Sequence, residues 1–208
     1  NVCSSSVTVS GFKVHRGVER ALLGGPNKRS IHYAETLAGD TTVAHATAYC
    51  QALEGLAACA VPARGQALRG IALELERLAN HTGTLGALAG DVGFLPTASF
   101  CGRLRGDFLN LTAVLCGSRF GRGLVRPGGS GFDVDQDRVG QLLERLTSAA
   151  KDVQSAVELL WSTSSVQARF EEVGKVPAEV ARQLGLVGPA ARACALARDV
   201  RHDLPAGI

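Results

Sequence analysis

The stretch Arg69–Gly93, RGIALELERLANHTGTLGALAGDVG, decides the fold. Leu68, Ile71, Leu75, Leu78, Thr82 and Leu85 recur at alternating steps of three and four, so they share one stripe of a helix. Glu74, Arg77 and His81 are also three and four apart and lie on a narrow strip beside it. Past Asn80, the glycines Gly83, Gly86 and Gly90 recur among Ala and Leu. They let another backbone come close, although glycine lowers helix propensity. The charged strip has two readings. It is the solvated edge of an amphipathic core helix, the commoner case, or a buried polar network that must satisfy itself because unpaired buried charge is expensive.

On the N-terminal side, residues 1–14 alternate small polar and β-branched residues, which predicts a short strand. Val18–Leu23 predicts a helical turn stopped by Gly24, Gly25 and Pro26. Ala44, Ala48, Ala52 and Leu56 recur every four residues, predicting a helix over about Thr42–Ala58 capped by Asp40 or Thr41. Pro62 sits just before the next helix, where proline is tolerated.

On the C-terminal side, Phe94–Thr97 breaks the chain. A third helix follows from Thr97 or Ser99 to Cys116, with Phe100, Leu104, Phe108, Leu111 and Leu115 on one face. Gly117–Gly131 holds six glycines and must turn sharply. Gln136–Ser162 is a fourth helix, its period carried by Val139, Leu142, Leu143, Leu146, Ala149, Ala150, Val153, Val157 and Leu160. Residues 177–187 predict a short helix, and the tail from Ala190 reads as irregular. The fold class is mainly α: an antiparallel multi-helix bundle with minor β at the N-terminus, and 1–208 a single helical domain.

Composition narrows function by exclusion. Apolar residues are 46% and charged ones 20%, a globular balance. A net charge of +3 and 5% aromatics argue against nucleic acid. No run of 18 strongly apolar residues exists, so the chain carries no transmembrane span. The six cysteines show no Cys-x-x-Cys and read as buried thiols of an intracellular protein. The absence of any methionine suggests a core fragment of a longer subunit.

No phosphate-loop, zinc-protease, hydrolase or EF-hand motif is present. The five histidines are scattered, and a lone histidine is more often a hydrogen-bonded structural residue than a ligand. Two basic, glycine-bearing segments stand out: His15-Arg16-Gly17 and Arg126-Pro127-Gly128-Gly129. Each either presents a guanidinium and bare N–H groups to an anion or partner, or is a turn with a surface arginine.

Taken together, these residues resemble the family of nickel-iron hydrogenase large subunits and the quinone-site subunit of respiratory complex I. The resemblance runs over roughly residues 12–205. It is carried by His15–Glu19, Glu35–Thr41 with His45, Glu54, Leu73–His81, Asp91–Gly93, Arg103–Arg105, Phe120–Gly129, Gly188-Pro189, Arg192-Ala193 and Asp199–Arg201. Hydrogenases of this family carry a Glu-x-x-Cys-Gly-x-Cys-x-x-x-His segment whose cysteines bind the nickel-iron centre. Glu35 and His45 match its ends, but Ala38 and Thr41 stand at the thiolate positions. Complex I members usually place a tyrosine in this segment for the quinone head, where this chain has Gly39.

The resemblance implies a large-subunit component of a membrane-associated multisubunit oxidoreductase, NADH:quinone oxidoreductase-like or energy-converting hydrogenase-like. Glu35 is then a carboxylate for proton movement and, with His45, a catalytic candidate. Arg16, Arg126, Gly128 and Gly129 would line a substrate or quinone pocket, and Glu74, Arg77 and His81 a supporting network. No metal or other cofactor would be bound by this chain, with quinone as a candidate ligand and iron–sulfur clusters in a small partner subunit. Further partners would be membrane-arm subunits, and the place the inner membrane's cytoplasmic side, held peripherally. Two other readings are a scaffold that docks an iron–sulfur subunit without chemistry, and a free-standing helical regulator.

Overall fold

A computed structural model describes residues 17–203. The strand predicted over 1–14, together with His15 and Arg16, lies outside the described residues. Four long helices carry the fold: α3 (Thr42–Leu56), α4 (Ala63–Asp91), α5 (Leu95–Cys116) and α6 (Gln136–Ser162). Two short helices, α1 (Val18–Leu22) and α2 (Ser30–Ala34), precede them. A two-strand antiparallel turn, β1 (Val125–Arg126) and β2 (Gly129–Ser130), separates α5 from α6. Four short helices follow: α7 (Ser164–Phe170), α8 (Ala178–Gln183), α9 (Gly188–Ala193) and α10 (Val200–Asp203). The protein is mainly α, as the periodicity predicts.

The 29 residues of α4 span about 44 Å at 1.5 Å per residue. Pro62 precedes its first turn, where a missing N–H costs nothing. Its end is fixed by Gly93 at φ +74: Phe94 N–H donates to Ala89 O and Gly93 N–H to Gly90 O, the paired bonds of a Schellman stop. The chain reverses at once into α5. Along that antiparallel seam Gly83 faces Arg105, Gly86 faces Cys101 and Gly90 faces Ala98. The glycines of the opening stretch are therefore contact points for α5.

Antiparallel packing continues on both sides. Thr97 donates to Ala156 O at 3.4 Å, and Arg103 reaches Asp152 at 2.7 Å, so α6 runs back along α5. Asp135 caps α6 by accepting from Arg138 N–H at 2.8 Å. The main core gathers Val43, Ala46 and Cys50 of α3, Leu68, Ala72 and Leu75 of α4, and Phe108, Leu111 and Leu115 of α5.

Several elements differ from the sequence reading. Ile71 is 43% exposed, and Arg69 and Glu76 take places on the buried face of α4 beside Leu68, Ala72 and Leu75. On α3 the Ala44/Ala48/Ala52/Leu56 row is not the core face; Val43, Ala46, Thr47, Cys50 and Glu54 are buried instead. Leu143 of α6 is 61% exposed, and Cys59 is an exposed thiol. The tail is more ordered than its composition predicts, because Gly188-Pro189 opens α9 and Ala181, Ala191 and Leu196 form a small cluster of their own.

Two glycines of α4 separate close packing from propensity. A methyl group at Gly86 would sit 3.0 Å from Cys101 Cβ and 3.3 Å from Ala98 O, whereas one at Gly90 meets nothing nearer than 3.9 Å. Gly86→Ala is expected to destabilise by about 1–3 kcal/mol through overpacking. Gly90→Ala is expected to stabilise by about 0.5 kcal/mol through helix propensity. Urea unfolding of the two variants checks the opposite signs.

Candidate functional site

The antiparallel pairing of α3 and α4 brings the last turn of α3 beside the start of α4. Glu54 and Arg69 meet there in a bidentate ion pair. Arg69 Nη1 donates to Glu54 Oε2 at 3.0 Å and Nη2 to Oε1 at 2.6 Å, with side chains only 6% and 8% exposed. Arg69 also donates from Nε to Gly129 O at 3.0 Å and from Nη2 to Arg126 O at 2.6 Å. Glu54 Oε1 accepts Gly128 N–H at 2.7 Å. Three parts of the chain thus meet in one satisfied polar cluster, the condition for burying a charge pair. The Arg69 hydrogen bonds, and less strongly Gly128 N–H, hold the Glu54 carboxyl below the usual glutamate value against the opposing effect of burial. The turn reading of Arg126–Gly129 is the one the geometry supports, because Gly128 N–H is spent inside the protein rather than offered to an anion.

At the other end of α3 a second carboxylate is buried. Thr41 precedes the helix but makes no side-chain cap. Glu76 of α4 supplies the cap from outside: Oε2 accepts Val43 N–H at 2.7 Å and Oε1 accepts Ala44 N–H at 3.0 Å. Burial raises the Glu76 carboxyl above its ordinary value, against the two backbone bonds and nearby His45; Asp40 adds to the rise. His45 Nδ1 meets Thr41 O at 2.8 Å and Thr41 Oγ1 at 2.9 Å, so the ring proton sits on Nδ1 and closes the corner. Asp40 is itself held by Arg105 at 2.9 Å, and its carbonyl by Asn80 at 2.8 Å.

Glu35, just past α2, is buried. Its Oε1 accepts Gly123 N–H at 2.6 Å and its Oε2 lies 3.4 Å from His32 Nδ1. The glycine-rich loop therefore folds over this carboxylate. Gly121, at φ +67, would put a methyl 2.5 Å from Val43 Cγ2, so only glycine lets the loop lie this close to α3. Burial pushes the Cys50 thiol, between Glu35 and Glu54 on this face of α3, up to about 11.

Between α3 and α4 lies a groove of about 1030 Å³. Thr47, Gln51 and Leu73 line its length, Glu54, Arg69 and Glu76 back it, and Val200 and Arg201 of α10 reach its edge. Thr47 Oγ1 is buried without a hydrogen-bond partner, a costly state for a hydroxyl. Glu74, Arg77 and His81 also line this groove, but they are not a buried network. Glu74 and Arg77 pair with each other at the surface, and His81 is exposed. Arg126 instead borders a smaller hollow of about 420 Å³ with Lys28 and Tyr49. Glu35, His45, Gly128 and Gly129 line neither, so the described candidates do not share one pocket.

The polar residues that organise this region, Arg69, Glu76 and Thr47, carry no role in the sequence reading. One signal was present: Arg69 and Glu76 are seven apart, each following a buried leucine, Leu68 or Leu75. No group of three or more His, Cys, Asp or Glu that could hold a metal occurs among the described residues. Ala38 and Thr41 do not fit a nickel-iron centre, since neither supplies sulfur.

Residues 91–207 match the family described as the respiratory-chain NADH dehydrogenase 49 kDa subunit. Formate hydrogenlyase subunit 5 of Escherichia coli (strain K12) is 32% identical over 195 residues, covering 93% of this chain and 34% of its own length. An NADH-quinone oxidoreductase subunit of Clostridium beijerinckii is 32% identical over 196 residues, covering 94% and 53%. The chain thus spans about a third to a half of the length of these curated relatives. A chain of the membrane-bound sulfane sulfur reductase, an archaeal respiratory membrane complex, shares the fold at a TM-score of 0.77 and 22% identity, covering 84% of this chain and 48% of that one.

Removing Arg69 strands the Glu54 charge. Arg69→Ala is expected to cost about 3–5 kcal/mol, and the double substitution Glu54→Gln, Arg69→Met less than Arg69→Ala alone. Because the Glu54 pKa is depressed, its contribution is fully present above the ordinary value of 4.5 and is lost as pH falls through the lower folded value. Denaturation from neutral to acid pH should show the wild type losing more stability below that value than Glu54→Gln.

Proposed function

The chain belongs to the 49 kDa-subunit family of the respiratory-chain NADH dehydrogenases, and from that premise we propose that it is the large-subunit component of a membrane-associated multisubunit oxidoreductase. The assembly is of the NADH:quinone oxidoreductase or energy-converting hydrogenase kind. Its small iron–sulfur subunit docks in the groove between α3 and α4 and supplies the electron-carrying clusters. The observation that supports this docking is the open groove itself, about 1030 Å³, walled by Ala44, Ala48 and Gln51 of α3 and Gly70 and Leu73 of α4. The surface polar side chains at the rim, Glu74, Arg77 and His81, suit the polar margin of a protein interface.

No described helix is long and apolar enough to cross a membrane. Attachment at the cytoplasmic side of the inner membrane would therefore run through partner subunits. In this reading Glu35 moves protons beneath the glycine-rich loop. His45 fixes the corner where Thr41 stands in a thiolate position, and Arg126 borders the hollow next to Tyr49, where a quinone head is the candidate ligand. The scaffold reading, in which the chain docks an iron–sulfur subunit without chemistry, is favoured by Ala38, Gly39 and Thr41.

Glu35→Gln separates the two readings, because a glutamine Oε1 still accepts Gly123 N–H but carries no proton. Turnover of the assembled complex is expected to fall about 100-fold, the range of a lost proton-transfer group. Unchanged turnover leaves the scaffold. The docking face is tested independently by Ala48→Trp, which fills the groove from an exposed position and spares the core. At least about a tenfold weaker co-purification of the iron–sulfur subunit is expected, a loss of about 1.4 kcal/mol.

A further inference from the structure

We propose, resting on the reading of Glu35 as a proton-moving carboxylate, that His32 is its relay: the imidazole passes protons between the surface and the buried acid. Glu35 has little direct access to water, since its side chain is 4% exposed. Its Oε1 is committed to Gly123 N–H at 2.6 Å. Oε2 is the oxygen left for a proton, and it lies 3.4 Å from His32 Nδ1. The His32 side chain is 60% exposed. One ring thus joins the buried oxygen to the surface, and an imidazole can take a proton at one nitrogen and release it at the other. Neither residue lines the α3/α4 groove, so the relay is independent of what docks there.

The sequence builds this contact locally. The short helix α2 is pinned at both ends: Asn27 N–H donates to Ser30 Oγ at 3.0 Å, and Glu35 N–H to Ile31 O at 2.9 Å. The three-residue spacing of His32 and Glu35 puts both side chains on one side of that turn. Thr36 Oγ1 donates to His32 O at 3.2 Å, which holds the backbone beneath the ring. At 3.4 Å the contact is long for a hydrogen bond, and a small rotation of an exposed side chain closes it. Two other titratable groups feel the Glu35 charge, the buried thiols of Cys50 on α3 and Cys116 on α5. Burial pushes both up, Cys50 to about 11, so they keep their protons at neutral pH and do not act as carriers. In the inward direction the neutral ring, protonated at Nδ1, takes a proton from a solvent acid at Nε2. It then gives its Nδ1 proton to Glu35 Oε2. The carboxylate becomes a neutral carboxyl, and the ring is left protonated at Nε2. Exchange with water restores the first tautomer, and the outward direction runs the same transfers in reverse.

The test is steady-state turnover of the complex that isolates with the full-length protein, measured for His32→Gln, His32→Ala and Glu35→Gln. His32→Gln keeps an N–H for Glu35 Oε2 but carries no proton. It is expected to slow turnover about 100-fold, as Glu35→Gln does, because the two groups act in series. The double substitution His32→Gln, Glu35→Gln is then expected to slow it no further than either single one. Added imidazole is expected to restore turnover of His32→Ala in proportion to its concentration and to leave Glu35→Gln unchanged. A merely structural His32 would not respond to imidazole. Wild-type turnover in His32→Gln, losses that multiply in the double variant, or a His32→Ala complex that imidazole does not rescue overturns the relay. So does failure of both His32 variants to assemble, which would make the residue structural. The two levels separate cleanly. Wild-type turnover in Glu35→Gln sinks the proton-moving reading and the relay with it, whereas a slow Glu35→Gln beside a fully active His32→Gln sinks the relay alone.

Discussion

The buried ion pair of Glu54 and Arg69 is the constraint on which the rest of this structure depends. It joins the end of α3 to the start of α4, and through Arg69 and Glu54 together it grips the backbone of Arg126, Gly128 and Gly129. A charge pair in the interior stabilises only when its remaining donors and acceptors are met. Here the turn between β1 and β2 meets them. The same bonds hold the glycine-rich segment against α4, where a methyl on Gly65 would lie only 3.2 Å from Gly129 Cα. The loop folds down on the helices because a buried guanidinium needs its carbonyls.

The two ends of α3 solve one electrostatic problem in different ways. At its C-terminal end Glu54 is matched by a cation. At its N-terminal end Glu76 is matched by helix N–H groups, which carry partial positive charge and satisfy its oxygens without neutralising them. The first arrangement sets charge against charge, and the second holds a carboxylate by backbone N–H groups, although both line the groove.

Much of this fold was legible in the sequence. The period of α4, α5 and α6 is regular, and α6 runs over the predicted Gln136–Ser162. The glycines of α4 announced a close neighbour, and that neighbour is α5. The candidate site was less legible, for a physical reason. Arg69 and Glu76 stand on the buried face of α4 at positions that the apolar period does not mark, because α3 and the β1–β2 turn satisfy them from far along the chain. Likewise the alanine row of α3 marks a helix by its period without saying which face is buried. Those small side chains instead leave room for the groove, with Ala44 and Ala48 in its wall. The resemblance identified the family and pointed to Glu35 and His45, but not to the contacts that hold them.

Two surfaces compete to receive a partner: the groove between α3 and α4, and the outer side of α6, where Leu143 and Trp161 are 61% and 71% exposed. The concave shape of the groove, about 1030 Å³ against the convex side of a single helix, favours the groove. The most direct measurement is an electron cryo-microscopy map of the complex that isolates with the full-length protein. The account predicts partner density in the groove, packed against Ala48 and Leu73. A groove left to bulk solvent, with the iron–sulfur subunit seated on α6, would contradict it.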